Sequence, residues 1–238
     1  FKLITSFSLN ESIGGFTSER WAELNDPAND LPMFNRAIQG EYAPGSTFKL
    51  FTAHAAWHSG VFGVGSIPGA DVAWQDPGAY VLRSCGDVDP TDPPPGCRYR
   101  NAGEKQYQDV DLARSLTVSS DVYYYKIGES IYVNSSHPDT AVQDAAAKYG
   151  LGFETGITLP FEQDGYLPTP ANRRQRHEDN PVAFPEWGWS TGDNVITAIG
   201  QGEVLVTPLQ LANAFATFAN GGNRFAPNVV DRVVDRDG

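Results

Sequence analysis

The sequence predicts an α+β fold in which helix dominates and strand is confined to the two ends. Two observations carry that expectation. Stretches starting near Ser46, Asp109, Thr140 and Thr207 read as helices, most of them from apolar residues at helical spacing. Strand-like segments, by contrast, occur only at residues 1–8 and 227–234. No internal repeat and no coiled-coil heptad run is visible.

Taken in order, Phe1 to Ser8 reads as a sheet strand entered midway. Thr17 to Leu24 carries a helix-capping signature and is broken by Asn25-Asp26-Pro27. Pro44 and Gly45 then punctuate the chain. Phe48, Leu50, Phe51, Ala53, Ala55, Ala56 and Trp57 follow at spacings that fit a buried helix running from about Ser46 to Gly60. Residues 61–108, rich in Gly, Pro and Asp, read as a long decorated loop with room for one hairpin. A helix begins near Asp109 with Val110, Leu112, Leu116 and Val118 as its apolar face, capped by Asp109 or Asp111, and a second helical run covers Val122 to Gly128. Thr140 to Tyr149 forms the next helix and Gly150 stops it. Residues 156–168 are an extended, turn-rich excursion, and Asn172 to Asp179 a charged surface stretch. Thr207 is an N-cap with Pro208 at the first helical position, and that helix ends at Gly221-Gly222.

A chain of 238 residues fits one large domain or two small ones, with ample length for a core. Its formal net charge of −12 argues against a nucleic-acid binder, which would present a basic face to phosphate. No apolar run is long enough to span a bilayer, and no signal peptide is visible. The two cysteines, Cys85 and Cys97, bracket a proline-rich polar segment. A disulfide there would contribute about 3 kcal/mol by restricting the unfolded chain, and it would place the protein outside the cytoplasm. The other reading is two unrelated free thiols, but the segment offers no core in which a thiol could hide. No metal site is expected. His54 and His58 share a helix face at i,i+4, yet no third ligand suggests itself.

The chemistry centres on Ser46 and Lys49. Residues i and i+3 of a helix are surface neighbours, so the lysine amine is expected to reach the serine hydroxyl. A serine is inert until a base takes its proton, and a partly buried lysine loses some preference for its charged form. The free N–H groups at the helix start could stabilise an oxyanion. Ser-x-x-Lys alone says little, since a chain of this length contains about one by chance; the bland reading is a capping serine with a lysine one turn later. The letters around it say more. Asn35-Arg36-Ala37-Ile38-Gln39-Gly40-Glu41-Tyr42-Ala43-Pro44-Gly45-Ser46-Thr47-Phe48-Lys49 closely resembles the nucleophile segment of the penicillin-binding protein transpeptidases.

Further stretches extend that resemblance. Ser119-Ser120-Asp121 followed by Val122-Tyr123-Tyr124-Tyr125 is similar to the family's second motif, Ser-x-Asn, in the Ser-x-Asp form found among enzymes resembling elongation-type penicillin-binding protein 2. Its serine is expected to relay a proton to a departing amine and its acidic residue to hold the lysine or the substrate amide. An aspartate there would also raise the lysine pKa and weaken it as a base. Segments at 149–160, 199–210 and 219–222 match as well, so the likeness covers nearly the whole chain. The family's third motif, Lys-Thr-Gly or Lys-Ser-Gly, does not occur in the 238 residues. The expectation is therefore one transpeptidase domain over 1–238, truncated at both ends, comprising mostly the helical subdomain of the penicillin-binding/serine beta-lactamase-like fold with an incomplete antiparallel sheet. Such a piece is expected to be poorly stable and inactive alone.

The resemblance implies a peptidoglycan D,D-transpeptidase. Ser46 would be its nucleophile, Lys49 the base, Ser119 the proton relay and Asp121 a substrate-binding group, with no cofactor. Implied partners are peptidoglycan stem peptides, beta-lactam antibiotics and a membrane glycosyltransferase of the SEDS family. Implied too is a location on the extracytoplasmic face of the cell membrane, through an N-terminal anchor outside this chain. Two other readings stand beside it. A non-catalytic beta-lactam sensor or scaffold of wall synthesis is one. A serine beta-lactamase is the other, disfavoured because no Glu-x-x-x-Asn occurs and Tyr149-Gly150-Leu151 replaces the Tyr-Gly-Asn of class D enzymes.

Overall fold

The computed structural model describes residues 7–64, 67–134 and 140–230. Among them are eight α-helices: α1 (Ser18–Leu24), α2 (Lys49–His58), α3 (Leu112–Val118), α4 (Asp121–Asn134), α5 (Ala141–Lys148), α6 (Pro170–Asp179), α7 (Thr191–Thr197) and α8 (Pro208–Ala219). Four short strands, β1 (Trp74–Asp76), β2 (Ala79–Val81), β3 (Arg98–Arg100) and β4 (Tyr107–Val110), form two antiparallel pairs, β1 with β4 and β2 with β3. The fold is α+β with a small antiparallel sheet component.

Helix α4 is the axle. Val122 to Tyr125 and Ile127 to Ile131 are all buried, so it is covered nearly all round, as befits a helix at the centre of a domain. Helices α2 and α7 pack against it, and α2 also packs against α5. Phe48, Phe51, Tyr123, Tyr124, Ile127, Ile131 and Leu151 fill the space between them. Complete burial of a side chain such as Phe51 contributes roughly 2–3 kcal/mol. Gly128 lets α4 and α7 approach closely: a Cβ there would lie 2.9 Å from that of Ala198. Asn194 of α7 donates to the Gly128 carbonyl at 2.8 Å across the same seam.

Several elements depart from the sequence reading. The segment from 61 to 110 holds two strand pairs nested one outside the other, because the chain turns back once, between 81 and 98, and pairs at two levels. Tyr107–Val110 is strand β4, so the helix expected from Asp109 starts at Leu112 instead, and Asp111 is its cap, accepting from the Arg114 N–H at 2.7 Å. Leu116 is exposed and α3 buries Ser115, while Trp57 of α2 also faces solvent. The charged stretch after Asn172 is helix α6. It lacks an apolar stripe and is fixed by Arg173, which pairs with Asp193 at 2.8 Å and Glu203 at 3.4 Å and lies over the Trp189 ring. Helix α7, not expected at all, opens with a Ser190–Asp193 capping box. Residues 227–230 form no strand. The strand expected at Phe1–Ser8 falls mostly outside the described residues, as do 231–234.

Cys85 and Cys97 form a disulfide within the loop that joins β2 to β3. Next to it, the Ser84 N–H and the Arg83 guanidinium donate to the buried carboxylate of Glu129 at 3.1 and 3.2 Å, and the Tyr80 hydroxyl joins them. The insertion is thus pinned to the middle of α4 by a carboxylate that water does not reach. The double variant Cys85→Ser/Cys97→Ser is expected to lose about 3 kcal/mol in urea unfolding, the entropy of closing a short loop.

Candidate active site

Ser46 lies in a 3-10 turn, Gly45–Phe48, that leads directly into α2. The turn is fixed from several directions. Tyr42 and Val206 exchange two backbone hydrogen bonds at 2.9 Å, the Gly45 N–H donates to the Gly200 carbonyl at 2.8 Å, and Phe48 is fully buried beneath. Gly200, at φ +69°, passes so close that a Cβ would meet the Gly45 oxygen at 2.4 Å. Behind the turn, the Thr52 hydroxyl donates to the Ala198 carbonyl at 2.7 Å. Everything around Ser46 is anchored, and Ser46 itself is exposed.

Lys49, one turn on, is the opposite: its side chain is 1% exposed. Its amine donates to the Asp121 carboxylate at 2.6 Å, to the Ser119 carbonyl at 2.8 Å and to the Ser119 hydroxyl at 3.1 Å. The Tyr124 ring lies 5.7 Å away. Ser119 ends α3 in the left-handed conformation (φ 56°, ψ 45°), which aims both of its oxygens at the amine. Asp121 begins α4, where a carboxylate also suits the helix dipole. Burial pushes the Lys49 pKa down; the Asp121 hydrogen bond and charge, and the more distant charge of Asp76, oppose this without overcoming it. The expectation that Asp121 would leave Lys49 a weaker base is thus outweighed by desolvation.

Three of the four residues singled out from the sequence, Lys49, Ser119 and Asp121, therefore meet across some seventy positions of chain. The fourth does not bond to them. Among the described residues no hydrogen bond joins Lys49 to Ser46, because the amine is drawn toward Ser119 and Asp121. The disulfide is remote, fastened near Glu129, two turns or about 12 Å along α4 from Asp121. His54 and His58 stack at 4.3 Å, and His54 Nδ1 bonds the Tyr149 hydroxyl at 2.8 Å; among the described residues no group of three or more His, Cys, Asp or Glu could hold a metal ion. Trp189 packs beneath Arg173 of α6.

The layer behind the site was not legible in the sequence. Asp76 and Asn101, both buried, hold the Ser119–Asp121 turn from the side of the insertion. The Gly200-Gln201 segment was singled out, but not its seat against the Ser46 turn.

Comparison with known proteins agrees with the α+β fold. Over 225 residues the chain is 28% identical to the peptidoglycan D,D-transpeptidase MrdA of Acinetobacter baumannii, which covers 94% of this chain and 29% of that protein. Pseudomonas aeruginosa PBP2, solved in complex with WCK 5153, superposes with a TM-score of 0.73 at 27% identity, over 94% of this chain and 45% of that one. A chain from a peptidoglycan synthase complex, solved for how polymerization and crosslinking are coordinated, gives a TM-score of 0.68 at 28% identity, over 91% and 31%. The chain spans about 30% of the length of the curated relatives it matches. The family model of the penicillin binding protein transpeptidase domain matches residues 10–237, and by that match the chain belongs to the penicillin-binding protein transpeptidase family.

Proposed function

We propose that the protein containing this chain is a peptidoglycan D,D-transpeptidase working through an acyl-enzyme on Ser46. The observation that carries the reading is the buried Lys49 amine, bonded to Ser119 and Asp121 one turn from an exposed serine on an anchored turn. A structural ion pair has no need of a neighbouring solvent-facing hydroxyl. A base does.

The steps follow from the positions. Ser46 Oγ attacks the carbonyl between the two terminal D-Ala residues of a stem peptide, giving its proton to neutral Lys49. The C–N bond then breaks, Ser119 passes a proton to the departing D-Ala amine, and the Ser46 ester remains. An amine of a second stem attacks that ester, forms the cross-link and returns the proton to Ser46. Asp121 orients the lysine between steps and offers a carboxylate oxygen to the substrate amide. Free-state geometry does not count against Lys49, since catalytic hydrogen bonds commonly tighten only once substrate binds. Beta-lactams, which present a strained amide to the same serine, would be trapped as esters. The natural partners are the stem peptide and a membrane glycosyltransferase of the SEDS family, at the extracytoplasmic face of the membrane. The similarity to MrdA proteins and to a chain of a peptidoglycan synthase complex supports this placement.

Because Lys-Thr-Gly is not among the 238 residues, the test uses two proteins. One is this chain; the other is a full-length relative in which residues 10–230 replace the matching segment. Intact-mass spectrometry after incubation with benzylpenicillin is expected to show a stable single adduct on the full-length chimera, absent from its Ser46→Ala variant. Lys49→Met is expected to slow adduct formation about 100- to 10,000-fold, the usual worth of a positioned base. An adduct that is lost within seconds would favour a beta-lactamase, and none at all would leave a scaffold.

The lowered Lys49 pKa also fixes a pH dependence. The acylation rate of the chimera should climb with pH as the amine loses its proton and level off once it is neutral. Its inflection should lie below that of a free lysine, about 10.4. Stopped-flow acylation with a fluorescent penicillin measures the curve.

A further inference from the structure

The buried polar group nearest the site, and unused by the reaction just described, belongs to the insertion. Asp76, at the end of β1, is 2% exposed, and Asn101, just after β3, is 4% exposed. They form one connected network. Asp76 accepts from the Gly78 N–H at 2.8 Å, from Asn101 Nδ2 at 2.8 Å and from the hydroxyl of Ser120 at 2.6 Å. Asn101 Nδ2 also donates to the Lys105 carbonyl at 2.8 Å, and Asn101 Oδ1 accepts from the N–H groups of Asp121 and Val122 at 2.8 and 2.9 Å.

The consequence lies in what those partners are. Ser120 is fully buried and sits between the two residues that hold Lys49; its hydroxyl also accepts from the Tyr123 N–H at 3.0 Å. The first N–H groups of a helix have no intrahelical partner, and here two of them are satisfied by a side chain 20 residues upstream. Ser119 needs a left-handed backbone to aim at Lys49, a conformation that costs a non-glycine residue energy unless its surroundings impose it. The clamp on the next three residues supplies that constraint.

We propose that Asp76 and Asn101 are positioning residues, through which the 74–101 insertion holds Ser119 and Asp121 in register with Lys49. The inference rests on the transpeptidase reading for its catalytic consequence but not for its geometry. Asp76 also acts on the Lys49 amine as a second, more distant negative charge after Asp121, and the Tyr124 ring lies 5.7 Å from that amine.

Two variants test it. Asp76→Asn removes the charge and, with one acceptor oxygen in place of two, at least one of the three hydrogen bonds that Asp76 accepts; 13Cε NMR titration of Lys49 is expected to place its midpoint at lower pH than in the parent, and the acylation profile of the full-length chimera is expected to move the same way. Asn101→Ala removes the helix cap. It is expected to slow benzylpenicillin acylation of that chimera about 10- to 100-fold, the scale of a small misplacement of catalytic groups. Asn101→Ser, which keeps an acceptor oxygen, should recover part of the rate. An unchanged Lys49 midpoint in Asp76→Asn would overturn the proposal, as would an Asn101→Ala protein that acylates at the parental rate. A parent chimera that forms no adduct would count against the transpeptidase reading instead, and the Lys49 midpoint would still decide the clamp.

Discussion

A buried ammonium group must be paired or lose its proton, and the candidate site is arranged around that constraint. Lys49 is shut away from water between α2 and the start of α4, and among the described residues every hydrogen bond of its amine goes to the Ser119–Asp121 turn. Removing that turn's acceptors would leave the ammonium without solvent or partner, so α2 and α4 are tied to one relative placement. The same burial that makes the pair costly makes the amine a usable base, because desolvation favours the neutral form. Packing and chemistry are here one interaction seen from two sides.

Around it the molecule is built in shells. Tyr42, Gly45 and Gly200 fix the turn that bears Ser46. Asp76 and Asn101 fix the turn that bears Ser119. Glu129 and the Cys85–Cys97 bridge fix the insertion that carries Asp76 and Asn101, by fastening its far end to α4. Asp76, Asn101, Glu129 and the two cysteines lie in none of the family-like stretches, yet each limits how far the side chains around Lys49 can stray.

How much of this the sequence disclosed follows from the range of the interactions. Helices with local start signals were legible: Thr17 and Thr207 cap helices with their side chains, and the helix expected from Thr140 begins at Ala141. Helix α6 was not, although Thr169-Pro170 carries the same opening as Thr207-Pro208, because its stabilising contacts are long-range ion pairs rather than a stripe. The β pairs were under-read because strands of three or four residues are too short to show alternation. Lys49, Ser119 and Asp121 could be named from motif letters. Asp76 and Asn101 could not, since a buried aspartate and a loop asparagine look like any others until the fold brings them together. Among the described residues the Ser46–Lys49 hydrogen bond is not formed, although the i,i+3 spacing puts the two residues side by side, because long-range acceptors that local spacing does not reveal take the amine.

Lys49 must serve Ser46 while resting on Ser119 and Asp121, and a crystal structure of the benzylpenicillin-treated full-length chimera would examine that directly. It should show density continuous from Ser46 Oγ into the opened lactam, with Lys49 Nζ within about 2.6–3.2 Å of that oxygen and still bonded to Ser119. An adduct on any other residue, or a Lys49 amine that stays out of reach of an acylated Ser46, would contradict the assignment of Lys49 as its base.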